Sequence, residues 1–146
     1  MADRKIIKFE IVTPERTVFK QEVFQVTVPT QSGEITVLPD HIPLVSILKP
    51  GVLEIKTVDQ ETEIISVSGG FIEVLRDKIV ILADTAERAQ ELDENIIAEA
   101  RRRAEVSKEE AMSQDNYDLS AVAAKLEIEV ARERALHKWR KLKNIK

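Results

Sequence analysis

Two imidazoles are all the ring chemistry this chain can offer: His41 in LPDHIPL and His137 in the closing run ARERALHKWRKLKNIK. His41 follows Asp40, and a carboxylate beside an imidazole can orient a general base. A small hydrolase built on that pair would still need a nucleophile or further ligands nearby. The chain has no cysteine, so thiolate nucleophiles, thiolate metal sites and disulfides are excluded, as befits a reducing compartment. No GxSxG elbow, P-loop, HExxH or zinc spacing occurs. Gly69 and Gly70 in VSGGF have no helix start after them, so they read as a bulge or a tight strand connection rather than a phosphate cradle. A lone histidine in a proline-flanked loop reads as a group hydrogen-bonded to its neighbours. No catalytic residue is assigned, and binding is the better expectation.

The strongest binding signal is charge. Arg132 to Lys146 hold seven basic residues and one acid, in a chain of formal net charge -4, so the first 131 residues carry about -10. Such a tail can hook nucleic acid, lie on a membrane surface or dock as a helix on an acidic partner. The acidic body repels a polyanion and counts against nucleic acid. No apolar run approaches the roughly 18 residues of a spanning helix, and the amino terminus lacks a secretory cleavage pattern, so a soluble or peripheral protein without lipid insertion is expected. Trp139 reads as a packing residue on an amphipathic helix, with an exposed partner anchor as the sharper alternative.

The elements that position these residues fall into two parts. All five prolines lie at or before Pro50 and all four glycines between Gly33 and Gly70, whereas eleven alanines follow from Ala86. A boundary near residue 85 separates residues 1–85 from residues 86–146. In the first part Phe24, Val26 and Val28 alternate with polar residues, as do Leu53, Ile55 and Thr57. With IIKFEIV, GEITVL, TEIISVS, FIEVL and KIVILA they predict an antiparallel β-sandwich or barrel. In the second part Ala89, Leu92, Ile96, Ala100 and Ala104, then Leu119, Val122, Leu126 and Val130, recur at helical spacing. SQDNYD between them predicts a turn, with Asp118 or Ser120 as the cap of the second helix. The fold class is therefore β then α: an N-terminal antiparallel β-sandwich followed by a C-terminal antiparallel two-helix hairpin with arms of about 25 residues. Alanine pairs bury little apolar surface, so the hairpin is expected to be held loosely.

Three stretches, GEITVLPDHIPLVSILKPG (33–51), VSGGFIEV (67–74) and ILADTAERAQELD (81–93), resemble in order and separation the epsilon subunit of bacterial and chloroplast F-type ATP synthases. The resemblance implies a non-catalytic subunit of the rotating central stalk, present once per complex. Its sandwich would be fixed to the gamma subunit and would rest on the membrane-embedded c-ring, at the cytoplasmic face of a bacterial plasma membrane. Glu34 and His41 would face the c-ring loops; the sequence departs from the family there, with Thr36 and Asp40 where glycines are usual. The helices would lie beside the sandwich or extend into the alpha/beta catalytic head, where Arg132, Arg134, Lys138, Arg140 and Lys141 would meet an acidic segment of the beta subunit and oppose ATP hydrolysis.

Some relatives bind regulatory ATP through Ile or Leu, Asp, two variable residues, Arg and Ala. Leu92 and Asp93 fit, but Ile96 and Ile97 fill the last two slots. That loss removes a cation suited to phosphate, leaving Arg103 and Arg134 as the further candidates, and no cofactor is expected. From the residues alone the alternatives are a nucleic-acid or protein binding module using the basic helix, and the small hydrolase of His41 with Asp40.

Overall fold

The computed structural model describes residues 4–113 and 119–144. Nine strands form two layers. Strands β1 (Ile7–Val12), β8 (Lys78–Ala83), β7 (Gly70–Val74) and β4 (Leu44–Leu48) build one layer in that spatial order. The other runs β3 (Gly33–Val37), β2 (Thr17–Thr30), β5 (Gly51–Thr57), β6 (Thr62–Val67) and β9 (Ala86–Arg88). The 14 residues of β2 serve both layers. Its first half pairs with β1, from Thr17 opposite Val12 to Val23 opposite Ile7. Its second half pairs with β5 and β3, and Thr30 meets Leu48 of β4.

Alternation explains the core. Ile7, Phe9 and Ile11 of β1, Leu53 and Ile55 of β5, Ile72 and Val74 of β7, and Ile79 and Ile81 of β8 all point inward and are buried. Each such side chain contributes about 1.5–3 kcal/mol relative to exposure. Phe9 and Phe19 pack as a tilted pair with centroids 5.6 Å apart.

Most pairings are antiparallel, as the alternation predicts, but β1 and β8 pair parallel. The hairpin turn after β1 commits one of its edges to β2, and β8 arrives along the other edge by a long crossover through β2–β7. Two strands go beyond the sequence reading. β4 lies between Pro43 and Pro50, and β9 is three residues long and continues the sheet past residue 85.

The helices are α1 (Glu94–Met112, 19 residues) and α2 (Leu119–Leu142, 24 residues), so the first arm is shorter than expected. Glu94 pairs with Arg140 and Glu133 with Arg101, which shows that the two run antiparallel. Asp93 caps α1, its side chain accepting from the amides of Asn95 and Ile96. Asp118 lies outside the described residues, and Ser120 is the second residue of α2. The expected helical stripes hold at Ala89, Ala104, Val122, Leu126 and Val130, which are buried or half-buried, and fail at Ile96 and Leu119. Ile97, Ala104 and Ala111 are the buried residues of α1, while Ile96 is 67% exposed. In α2 the buried residues are Ala131, Ala135 and Leu136, and Leu119 is exposed.

Ser68 and Gly69 carry the chain from β6 in one layer to β7 in the other, which brings Gly70 against β8. Gly70 has φ 135, and a Cβ there would stand 2.1 Å from the Leu82 carbonyl oxygen. Gly70→Ala should therefore cost about 3 kcal/mol of stability, read as a lowered urea midpoint with an unchanged slope.

Candidate functional site

The two layers treat their outer faces differently. On the β3–β2–β5–β6–β9 layer, Val52, Glu54, Ile64, Ser66 and Glu87 point away from the core; in register Val52 lies opposite Ser66, Ser66 opposite Glu87, and Glu54 opposite Ile64. Helix α2 lies on this face. Ile64, Ala89 and Ala135 form a small buried cluster with Val52, Leu92 and Trp139 packed around it. Trp139 is thus a packing residue, and Ala135 is the point of closest seating, being fully buried.

Among the described residues, no helix covers the opposite layer. Ile47 of β4 is paired with Phe71 of β7, and Phe71 with Leu82 of β8, so the three stand in one row across the strands. They are 48%, 53% and 53% exposed, and Val45, two residues along β4, is 70% exposed. A contiguous apolar row of this kind on an outer sheet face marks an interaction surface.

The basic residues of α2 are largely engaged. Lys138 reaches Glu54 at 2.6 Å, Arg132 reaches Glu87 at 2.6 Å and Glu129 at 2.6 Å, and Arg140 reaches Glu94 at 2.8 Å. Between the helices Arg101 pairs with Glu133, and within α1 it also pairs with Glu105. The hydrogen bond from Arg101 to Glu133, then that to Glu105, holds its guanidinium above the ordinary arginine value. Arg134 and Lys141 have no carboxylate partner among the described residues. All five cations singled out in the sequence therefore lie on one helix, three paired and two free. The carboxylates that hold them went unrecognised, because no spacing in the sequence places β5 or β9 beside α2.

A groove of about 1050 Å³ runs between the helices and the sheet edge, with Pro29, Gly51, Ile97, Arg134, Leu136 and His137 among its walls. A second, of about 520 Å³, is lined by Arg103, Ser107, Lys125 and Glu129 among others. The four residues considered for a nucleotide are not brought together. Arg134 lines the first groove and Arg103 the second, Leu92 packs in the seat, and the Asp93 carboxylate is used in capping.

Glu34, the second residue of β3, is exposed and borders the first groove. His41 lies four residues beyond the end of β3, and its Nδ1 donates to the Ile42 carbonyl at 2.6 Å. Asp40 adopts φ 66, a left-handed conformation that glycine favours and aspartate tolerates, and its carboxylate pairs with Lys5. Asp40 and His41 are each engaged elsewhere, so the hydrolase arrangement is not formed. Among the described residues no cluster of three His, Cys, Asp or Glu could hold a metal.

Residues 6–89 match the family described as ATP synthase, Delta/Epsilon chain, beta-sandwich domain. The ATP synthase epsilon chain of Dichelobacter nodosus is 44% identical over 120 residues, covering 82% of this chain and 84% of that one. That of Chloroflexus aggregans is 44% identical over 134 residues, covering 90% and 94%. A chain in the cryo-EM structure of the Euglena gracilis mitochondrial ATP synthase (OSCP/F1/c-ring) superposes with a TM-score of 0.79 at 27% identity, over 90% of this chain and 82% of that one. A chain of the Tetrahymena thermophila mitochondrial ATP synthase central stalk and c-ring shares the fold at a TM-score of 0.60 and 14% identity.

The geometry of the seat carries its own test. Ala135→Leu adds three carbons where Ile64 and Ala89 leave no room, an overpacking that costs about 1–3 kcal/mol. Amides of α2 should then exchange with solvent about tenfold faster or more, while those of β1, β5 and β8 keep their protection.

Proposed function

We propose, from the premise that this chain belongs to the ATP synthase delta/epsilon family, that its sandwich clamps stalk to rotor and its hairpin regulates ATP hydrolysis. The chain is a non-catalytic subunit of the ATP synthase complex, in the central stalk. In this reading the sandwich is fixed to the gamma subunit, one end rests on the c-ring, and torque passes through it while the chemistry belongs to the alpha/beta head. Transmission needs stiffness. Two layers sharing the long strand β2, around a core of fully buried Ile, Phe and Val, resist shear.

The single observation that carries the reading is the uncovered row Ile47, Phe71 and Leu82. One outer face of the sandwich is covered by the chain's own helix, and the other is apolar and open. A subunit gripped by a larger shaft requires such a face, whereas a freely diffusing protein is not favoured by one. The c-ring contact falls to Glu34 and His41, and to the exposed loop around Leu38 and Ile42.

Regulation falls to α2. When the hairpin leaves its seat, Arg132, Arg134, Lys138, Arg140 and Lys141 become available to an acidic segment of the beta subunit, and hydrolysis is opposed. No cofactor enters this reading, since Asp93 is occupied in capping and Ile96 stands where an arginine would be needed. No described helix is long and apolar enough to cross a membrane. We place the protein peripherally, in one copy per complex, on the cytoplasmic face of a bacterial plasma membrane.

Two outcomes test the halves separately. Phe71→Lys combined with Leu82→Glu, which sets opposite charges across the paired strands, should reduce co-purification with the gamma subunit at least about tenfold while lowering the unfolding free energy by no more than about 1 kcal/mol; undiminished recovery would refute the docking face. Ending the chain after Leu92 keeps β9 and the turn that follows it, and should raise ATP hydrolysis by the assembled complex; an unchanged rate would refute regulation by the hairpin.

A further inference from the structure

We infer that the seat carries an electrostatic latch: Glu54 and Glu87, on the outward face of the sheet, hold the hairpin by occupying Lys138 and Arg132, and the hairpin is released by exchanging these carboxylates for a partner's. The latch itself rests on the geometry of this chain. What the freed cations then meet rests on the regulatory reading above.

Three observations build it. First, the apolar seat is modest: α2 buries only Ala131, Ala135 and Leu136, with Trp139 partly buried beside them, far less apolar surface than the sandwich core buries. Second, the two ion pairs to the sheet flank that seat. Arg132 lies three residues before Ala135 and Lys138 three residues after it, roughly 4.5 Å along the helix on either side. Their partners stand on different strands, β5 and β9, with β6 and its Ile64 between them. A helix pinned at two points across three strands cannot rotate or slide without breaking at least one pair. Third, the pairs are accessible. The side chains of Lys138 and Glu54 are 46% and 28% exposed, and those of Arg132 and Glu87 are 27% and 36% exposed. Water and competing carboxylates can reach them, so an exchange needs no deep desolvation.

The remaining cations divide the work. Arg140 is held by Glu94 of α1, within the hairpin, so that pair can travel with it. Arg134 and Lys141 carry no carboxylate partner among the described residues and can meet an acidic surface before the hairpin moves. First contact by these two, followed by transfer of Lys138 and Arg132, gives a sequence in which no step leaves both latch cations unpaired.

The test uses the full-length isolated protein, with hydrogen exchange of α2 as the readout. Glu54→Gln with Glu87→Gln keeps side-chain size and removes both sheet carboxylates, Arg132 retaining only its pair with Glu129 inside α2. Since an exposed pair shifts an equilibrium by up to about fivefold, α2 should exchange roughly tenfold faster with sandwich protection unchanged. Glu99→Gln breaks a pair internal to α1 and should leave α2 exchange unaltered. Charge reversal by Glu54→Lys with Lys138→Glu should restore most of the protection that Glu54→Lys alone removes. Unchanged exchange in the double glutamine variant, or no recovery in the reversed pair, would overturn the latch. In the assembled complex the double glutamine variant should hydrolyse ATP more slowly; if α2 is loosened but the rate is unaffected, the regulatory reading falls and the latch stands.

Discussion

A β-strand sends alternate side chains to opposite faces, so the residues that fill this core leave their neighbours pointing outward on both layers. That constraint governs the molecule. On one layer the outward positions are Val52, Glu54, Ile64, Ser66 and Glu87, and the chain covers them with its own second helix. On the other they include Ile47, Phe71 and Leu82, which stay open. One sandwich therefore offers a face for an internal partner and a face for an external one. The two faces differ in kind: the first mixes a small apolar patch with carboxylates, and the second is an apolar row suited to lasting attachment.

Strength of attachment follows from composition. The sandwich core packs Ile, Val, Leu and Phe at full burial, each worth about 1.5–3 kcal/mol. The hairpin seat has Ile64 with two alanines at its centre and exposed ion pairs at its sides, each worth about 0.2–1 kcal/mol. Local opening takes the path with fewest buried apolar contacts, so the helices are expected to leave before the sandwich unfolds. A stiff element and a detachable one can thus share a single chain of 146 residues.

Much of this was legible in the sequence. Glycine and proline confined to the first part, and eleven of the thirteen alanines to the second, set the β-then-α order and placed the composition boundary close to where β8 gives way to β9. Period-two alternation found most strands. It did not name β4, whose five residues sit between Pro43 and Pro50, or β9, which is too short to alternate. Ile96 lies four residues from both Leu92 and Ala100 and so joins the stripe by spacing, whereas the residue actually buried, Ile97, is five from Leu92; Ala89 and Ala104 of the same stripe are buried. The tail's cations were plain from charge alone. Their partners were not, because Glu54 and Glu87 come beside α2 only through the register of the sheet and the angle at which the helix crosses it. Such tertiary juxtapositions leave no local pattern.

The central claim is that the helical arm moves while the sandwich does not. The chain has no cysteine, so Lys56→Cys on β5 and Lys143→Cys beyond α2 can be labelled without competing sites. Single-molecule energy transfer between them, in the assembled complex during ATP hydrolysis and with nucleotide removed, reads the arm directly. Two distances whose populations change between these conditions are predicted. A single short distance in both would contradict the account.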